Sequence, residues 1–131
     1  MTASLARATA AYQEANVAAR SPLELVVLLY DGALSAIVQA RQAVDDRDMA
    51  AKRKAMSKGL AIIGHLQSTL NMDEGKDVAE QLDRLYVFVT DKLIEFNVQG
   101  RAEALTEAHS VLTTLRDAWS AIAQSGGGTS R

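Results

Sequence analysis

The sequence predicts an all-α fold, an antiparallel up-down four-helix bundle with an N-terminal capping segment. Three observations predict it: apolar residues recur at spacings of three and four, strand patterns are almost absent, and glycine and proline punctuate the chain. Short loops between helices of matched length are typical of such a bundle. The positions of glycine and proline divide the chain into a partly ordered cap, residues 1–20, the bundle, residues 21–124, and a flexible tail, residues 125–131.

The first helix has the clearest start signal in the chain. Ser21-Pro22-Leu23-Glu24 is a capping box, in which the Ser21 hydroxyl accepts from the amide of Glu24 and the Glu24 carboxylate reaches back. Pro22 occupies the first helical position, where no amide donor is needed. We expect this helix to continue to about Val44.

Three further helices follow along the chain. Asp48 caps the second, residues 71–76 form a turn, Asp77 opens the third, and Gly100 separates the third from the fourth. The apolar positions that define these three helices are Met49, Met56, Leu60, Ile63, Leu66 and Leu70; Val78, Leu82, Leu85, Val89, Leu93 and Phe96; and Leu105, Ala108, Leu112, Leu115, Trp119 and Ile122.

The composition excludes several classes of protein. The chain has 131 residues, 48% of them hydrophobic and 23% charged, with a formal net charge of -2 and no cysteine. A nucleic-acid-binding protein is usually strongly basic, and a disulfide scaffold or thiolate zinc site needs cysteine. The longest apolar run is six residues, which is too short for a membrane span or a secretory signal. We therefore expect a cytoplasmic protein with no nucleic-acid partner and no membrane span.

The first helix carries more apolar surface than a four-helix core can use. Between Leu23 and Ala40, 13 of 18 residues are apolar, and the polar side chains fall within an arc of about 80°. A bundle helix needs an apolar face of only about 100–150°. The surplus is covered either by residues 1–20 or by another polypeptide, which is a second copy or a different partner.

The histidines do not form a recognisable metal or cofactor site. A di-iron bundle needs Glu-x-x-His pairs, but Ile62 and Thr106 stand three residues before His65 and His109. We therefore predict no cofactor, no metal and no enzymatic activity. One alternative is a phosphotransfer bundle using His65, which lies mid-helix; a second is a homodimer that hides the apolar face of the first helix.

Several short segments carry a resemblance to a known family over roughly residues 10–122. The most specific is Ser21-Pro22 followed by Leu28-Leu29-Tyr30-Asp31-Gly32-Ala33. The others are Tyr12–Val17, Ser57-Lys58-Gly59 to Ile63, Leu85-Tyr86 and Ala118-Trp119. In this order the segments are similar to those of FliS, the family of flagellar secretion chaperones.

The resemblance implies a role in bacterial flagellum biogenesis. A FliS-like chaperone binds the disordered C-terminal segment of flagellin in the bacterial cytosol, prevents premature polymerisation and delivers flagellin to a flagellar export gate component. Tyr12 would then lie near the flagellin groove and help to control access to it. Together with the surplus on the first helix, this predicts partner contacts at Tyr12, Val17, Leu25, Leu29, Tyr30, Gly32, Ala33 and Ala36.

Overall fold

Four α-helices make up the part of the protein that the structure, a computed structural model, describes, residues 21–127. They are α1 (Pro22–Asp45), α2 (Met49–Ser68), α3 (Met72–Gln99) and α4 (Ala102–Ile122), and α4 is followed by a π-helical turn, Ala123–Gly127. These residues contain no β-strand, which confirms the predicted all-α class. The predicted cap, 1–20, and residues 128–131 of the predicted tail lie outside the described residues.

The predicted caps of the first two helices are confirmed. At the start of α1 the Glu24 amide donates to Ser21 Oγ at 3.2 Å, and the Ser21 amide donates to Glu24 Oε1 at 2.7 Å. At the start of α2 the Ala51 amide donates to Asp48 Oδ1 at 3.0 Å. Each bond satisfies an amide that has no partner within its own helix.

Helix α3 begins five residues earlier than Asp77, the position that the sequence predicts. Asn71 Oδ1 accepts from the Glu74 amide at 3.0 Å, and this cap supports an extra helical turn. The turn ends at Lys76, whose φ of 47° and ψ of -119° are not helical. A side chain at this φ strains the backbone, so α3 is kinked where the regular helix was expected to start.

Each helix packs against two others. Helix α1 contacts α2 and α4, and α3 contacts the same two helices. Within residues 21–127, the backbones of the diagonal pairs, α1 with α3 and α2 with α4, do not approach closely. Consecutive helices are joined by only two or three residues, 46–48, 69–71 and 100–101.

The core lies between the four helices and contains members of each. Its largest fully buried side chains are Tyr30, Ile62, Ile63, Val89, Leu93, Leu105 and Leu112. Three positions of the predicted apolar pattern are exposed instead: Met49 (52%), Val78 (63%) and Ile122 (47%). They lie in the first or last turns of their helices or beside the kink, and the periodic pattern does not reveal where packing stops.

Small residues let α1 approach its neighbour α2 closely. A Cβ added to Gly59 of α2 would lie 3.5 Å from the Cβ of Ala36, so the two helices meet there with little side chain between them. Gly32, Ala33, Ala40 and Ala43 of α1 are also buried. Part of the apolar surplus of α1 is therefore used inside the bundle.

Helix α1 has the length and apolar composition of a membrane-spanning helix. Within the described range it is the one helix that could span a bilayer, judged by length and composition alone. The core helix of a soluble protein meets the same criterion, and eight residues of α1 are buried in the bundle. Packing against α2 and α4 accounts for part of this apolar character, since 39% of the apolar window is buried inside the bundle.

Candidate functional site

An open groove of about 450 Å³ lies where α1 and α3 begin and α2 and α4 end. We call it the basal groove. It falls in the size range of ligand-binding pockets, and most of its lining is apolar. The lining residues are Leu23, Val26, Leu66, Thr69, Leu70, Asn71, Glu74, Gly75, Val78, Ala79, Leu82, Tyr86 and Trp119.

A chain of hydrogen bonds lies beside this groove and joins three helices. The hydroxyls of Tyr30 in α1 and Tyr86 in α3 are 2.5 Å apart, and Trp119 Nε1 in α4 donates to the Tyr30 hydroxyl at 3.2 Å. The exposed fractions of Tyr30 and Tyr86 are 0% and 2%. Their ring centroids are 6.4 Å apart. These bonds fix both rings where the helices meet.

Burial shifts the acidity of both tyrosines in the same direction. Loss of hydration raises the pKa of Tyr30, although its hydrogen bonds with Tyr86 and Trp119 oppose the change. Burial also raises the pKa of Tyr86, and there the hydrogen bond with Tyr30 adds to the increase. Both hydroxyls therefore keep their protons throughout the physiological pH range.

Two smaller grooves follow the seam between α1 and α4. One, of about 200 Å³, is bordered by Leu28 and by an ion pair in which Arg116 Nε donates to Asp31 Oδ1 at 2.8 Å. This hydrogen bond is the main cause that raises the pKa of Arg116. The other, of about 280 Å³, contains His109 and Arg41. The half-exposed ion pair makes the first of these grooves more polar than the basal groove.

The structure separates the predicted contact residues into three groups. Tyr12 and Val17 lie outside the described residues. Leu25 and Leu29 are half-buried in the first two turns of α1. The remaining four are buried within the bundle: Tyr30, Gly32, Ala33 and Ala36. A partner role for all eight stays a prediction; of the buried four, Tyr30 bonds to Tyr86 and Trp119, and Ala36 faces Gly59 of α2.

Tyr86 and Trp119 are site residues that the sequence reasoning did not assign. Both line the basal groove, and Tyr30 reaches it only through its bonds to these two. Both residues belong to segments that carry the family resemblance, and Trp119 is the only tryptophan of the chain. The signal that could have found them is the presence, in these segments, of aromatic residues that carry a hydrogen-bonding group.

The alternative function, a phosphotransfer bundle, depends on the surroundings of His65. His65 is half-buried on α2, and its carbonyl accepts from Ser68 Oγ at 2.8 Å. Among residues 21–127, no three His, Cys, Asp or Glu side chains are grouped closely enough to hold a metal ion. A phosphotransfer role for His65 stays a prediction.

Comparison with known proteins gives a consistent result. A family model described as "Flagellar protein FliS" matches residues 5–126. The chain is 35% identical over 110 residues to the flagellar secretion chaperone FliS of Salmonella typhimurium, covering 83% of this chain and 82% of the relative. It is 32% identical over 115 residues to the protein of that name from Bacillus subtilis, covering 88% and 85%. The flagellar secretion chaperone FliSB of Pseudomonas aeruginosa is 32% identical over 109 residues, covering 83% and 86%.

Proposed function

Because the chain belongs to the FliS family and has a chaperone role in flagellar export, we propose that its client is the disordered C-terminal segment of flagellin. The observation that carries this proposal is the basal groove, an apolar and open surface at the junction of all four helices. Leu23 and Val26, in the first turns of α1, supply part of this apolar surface. A folded monomer gains nothing from leaving such a surface uncovered, whereas a chaperone needs it.

Binding of this kind is folding coupled to association. A disordered segment loses about 1–2 kcal/mol of backbone entropy for each residue that becomes ordered. Apolar contacts in the basal groove and along α1 offset that cost. A client held in this way cannot polymerise early, and it can be passed in the bacterial cytosol to a component of the flagellar export gate.

The proposal includes the arrangement of the helices. We infer that the bundle is antiparallel and up-down, with residues 1–20 as a cap. Connections of two or three residues support this, because helices joined so tightly and packed together must reverse direction. The basal groove supports it too, since it gathers the starts of α1 and α3 with the ends of α2 and α4.

The proposed client is tested by mixing the protein with the C-terminal segment of flagellin. We expect a stoichiometric complex, measured by calorimetry and by light scattering. The control is flagellin that lacks this segment. No binding at tens of micromolar would contradict the proposal. A dimer whose mass does not change when the segment is added would favour the alternative, a homodimer that hides α1.

A further inference from the structure

The hydrogen-bond chain beside the basal groove has three donor protons but only two hydrogen bonds. Trp119 Nε1 and the hydroxyls of Tyr30 and Tyr86 supply three donors, and they are bonded to one another through two oxygens. Whichever tyrosine donates to the other, one hydroxyl proton has no acceptor among the described residues. A buried donor without an acceptor is costly, so this proton is available to a ligand.

The groove determines which of the two hydroxyls a ligand can reach. Tyr86 lines the basal groove, whereas Tyr30 does not line it and is fully buried. The arrangement open to a ligand therefore has Trp119 donating to Tyr30 and Tyr30 donating to Tyr86. In this arrangement the free proton belongs to Tyr86, a residue that lines the groove although only 2% of its surface is exposed.

The other lining residues limit what can accept this proton. Most are apolar, and the single charged side chain among them is Glu74 at the start of α3. An anionic acceptor would be repelled by Glu74 and would be desolvated at high cost. A main-chain carbonyl is neutral and brings apolar side chains with it. In the interior of a helix such a carbonyl is already bonded, so the acceptor belongs to an extended segment or to the end of a helix.

We propose that the basal groove binds a non-helical, apolar stretch of the client, and that Tyr86 donates its hydroxyl proton to a main-chain carbonyl of that stretch. A Lys or Arg next to the stretch would pair with Glu74. This inference rests on the proposed function and specifies one part of the binding surface: a fixed hydrogen-bond donor that sets the register of an otherwise non-directional apolar contact.

The experiment uses two hydroxyl deletions that break the same internal bond. Tyr86→Phe removes the donor to the client, and Tyr30→Phe leaves that donor in place. Both variants lose the Tyr30–Tyr86 bond, and Tyr30→Phe also removes the acceptor of Trp119 Nε1, so Tyr30→Phe is the harsher change to the core and controls for loss of stability. With the flagellin C-terminal segment, we expect Tyr86→Phe to raise Kd about three- to tenfold, a range typical of one hydrogen bond. We expect Tyr30→Phe to raise it less than about threefold.

Two further measurements do not depend on deleting a core hydroxyl. Trp119 is the only tryptophan and lines the groove, so a segment without tryptophan should protect its fluorescence from acrylamide quenching. Val78 is exposed at the rim, and Val78→Gln should raise Kd about threefold because the client loses an apolar contact. Val98→Gln is the matched control, since Val98 is exposed on the same helix away from the groove.

The possible results separate this inference from the function on which it rests. If the wild-type protein does not bind the segment, both are overturned. If it binds the segment but acrylamide quenches Trp119 fluorescence equally with and without the segment, the inference fails and the proposed function stands. The same holds if Tyr86→Phe and Tyr30→Phe weaken binding equally, or if Val78→Gln and Val98→Gln have the same effect.

Discussion

At the scale of single residues, the bond between the Tyr30 and Tyr86 hydroxyls connects two helices that share little other contact. Tyr30 and Tyr86 belong to α1 and α3, whose backbones do not approach closely within the described range. A hydroxyl bond of 2.5 Å therefore spans the diagonal of the bundle. Phenylalanine at either position would fill the same space but would lose this tie between the two helices.

The two tyrosines should make the bundle unstable at high pH. Burial raises their pKa in the folded state above the value of about 10 in the unfolded chain. Above pH 10 the unfolded chain has therefore released protons that the folded protein keeps, and rising pH favours unfolding. We expect the free energy of unfolding to be insensitive to these groups below pH 10. Above it, each tyrosine should lower that free energy by up to about 1.4 kcal/mol per pH unit.

Urea unfolding between pH 8 and pH 11 would measure this effect. The Tyr86→Phe variant is the control, because it lacks one of the two buried hydroxyls. Its free energy of unfolding should decline less steeply above pH 10 than that of the wild-type protein. Identical slopes for the two proteins would show that the buried pair does not cause the alkaline loss of stability.

Two glycines should respond to alanine with opposite signs. A Cβ at Gly64, four residues before the end of α2, would meet nothing within 4 Å, so Gly64→Ala should stabilise the protein by up to about 1 kcal/mol through helix propensity. A Cβ at Gly75 would lie 2.8 Å from the Cβ of Ala79, which cannot rotate away. Gly75→Ala should destabilise by about 1–3 kcal/mol.

The glycine prediction is checked by urea unfolding of both variants. Each serves as the control for the other, because the chemical change is the same and only the surroundings differ. A loss of stability in Gly64→Ala would show that α2 is constrained there by something other than helix propensity. An increase in stability in Gly75→Ala would mean that the start of α3 relaxes without cost.

At the scale of helices and their caps, stability depends on where each helix begins. The start of α1 carries a reciprocal pair of bonds between Ser21 and Glu24, in the same turn as Leu23, which lines the basal groove. The start of α3 instead has a single capped turn before the break at Lys76. We therefore expect the first turn of α1 to be held more firmly than the first turn of α3.

Removing the cap of α1 should test its contribution. Ser21→Ala leaves the Glu24 amide without its acceptor and should lower the free energy of unfolding by about 1 kcal/mol. Urea denaturation gives the value. Ser35→Ala, at an exposed position in the middle of α1, is the control and should change it by less than about 0.5 kcal/mol. Equal effects of the two changes would contradict a role for the capping box.

The sequence predicts helix starts better than it predicts burial or the site. Ser21 and Asp48 are local signals, because the bonds that they make span three residues. The early start of α3 was missed because Gly75 and Lys76 suggest a turn, whereas Asn71 supplies a cap for one helical turn before the break. Local pattern therefore identifies caps but does not identify strained interruptions.

The groove could not be predicted because its walls come from distant parts of the chain. Tyr30 was predicted to contact a partner, yet its neighbours are Tyr86 and Trp119, which lie 56 and 89 positions further along. Only the packing of α1 against α4, and of α4 against α3, brings these residues together. The apolar surplus of α1 could be read from the sequence, but its division between core and surface could not.

At the scale of the whole molecule, access to the basal groove is the property that a chaperone has to control. Residues 1–20 precede α1, whose first turn supplies Leu23 to the groove. Tyr12→Ala should weaken binding of the flagellin segment severalfold, because the family resemblance assigns Tyr12 to the groove. It should leave the melting temperature close to that of the wild-type protein, because the proposed arrangement assigns Tyr12 to a cap and not to the bundle core.

Whether Tyr12 controls access or belongs to the core is decided by two measurements on the same Tyr12→Ala sample. Calorimetry gives the affinity for the segment, and thermal unfolding gives the melting temperature. Leu5→Ala, another apolar truncation in the segment 1–20, is the control for the loss of an apolar side chain. A large drop in melting temperature with Tyr12→Ala would place Tyr12 in the core. In that case the idea that this residue controls access would be wrong.

The start of α1 and the end of α4 lie side by side, since Leu28 and Ala123 border the same groove along their seam. Trp119, near the end of α4, lines the basal groove, so a client segment fused after Gly127 through a short flexible linker would begin eight residues beyond that wall. Its effective concentration there would be in the millimolar range, so even a micromolar interaction would be saturated within one chain. Because the start of α1 and the end of α4 are neighbours, chaperone and client could be joined in one chain. The covalent connection would then fix their stoichiometry at one to one.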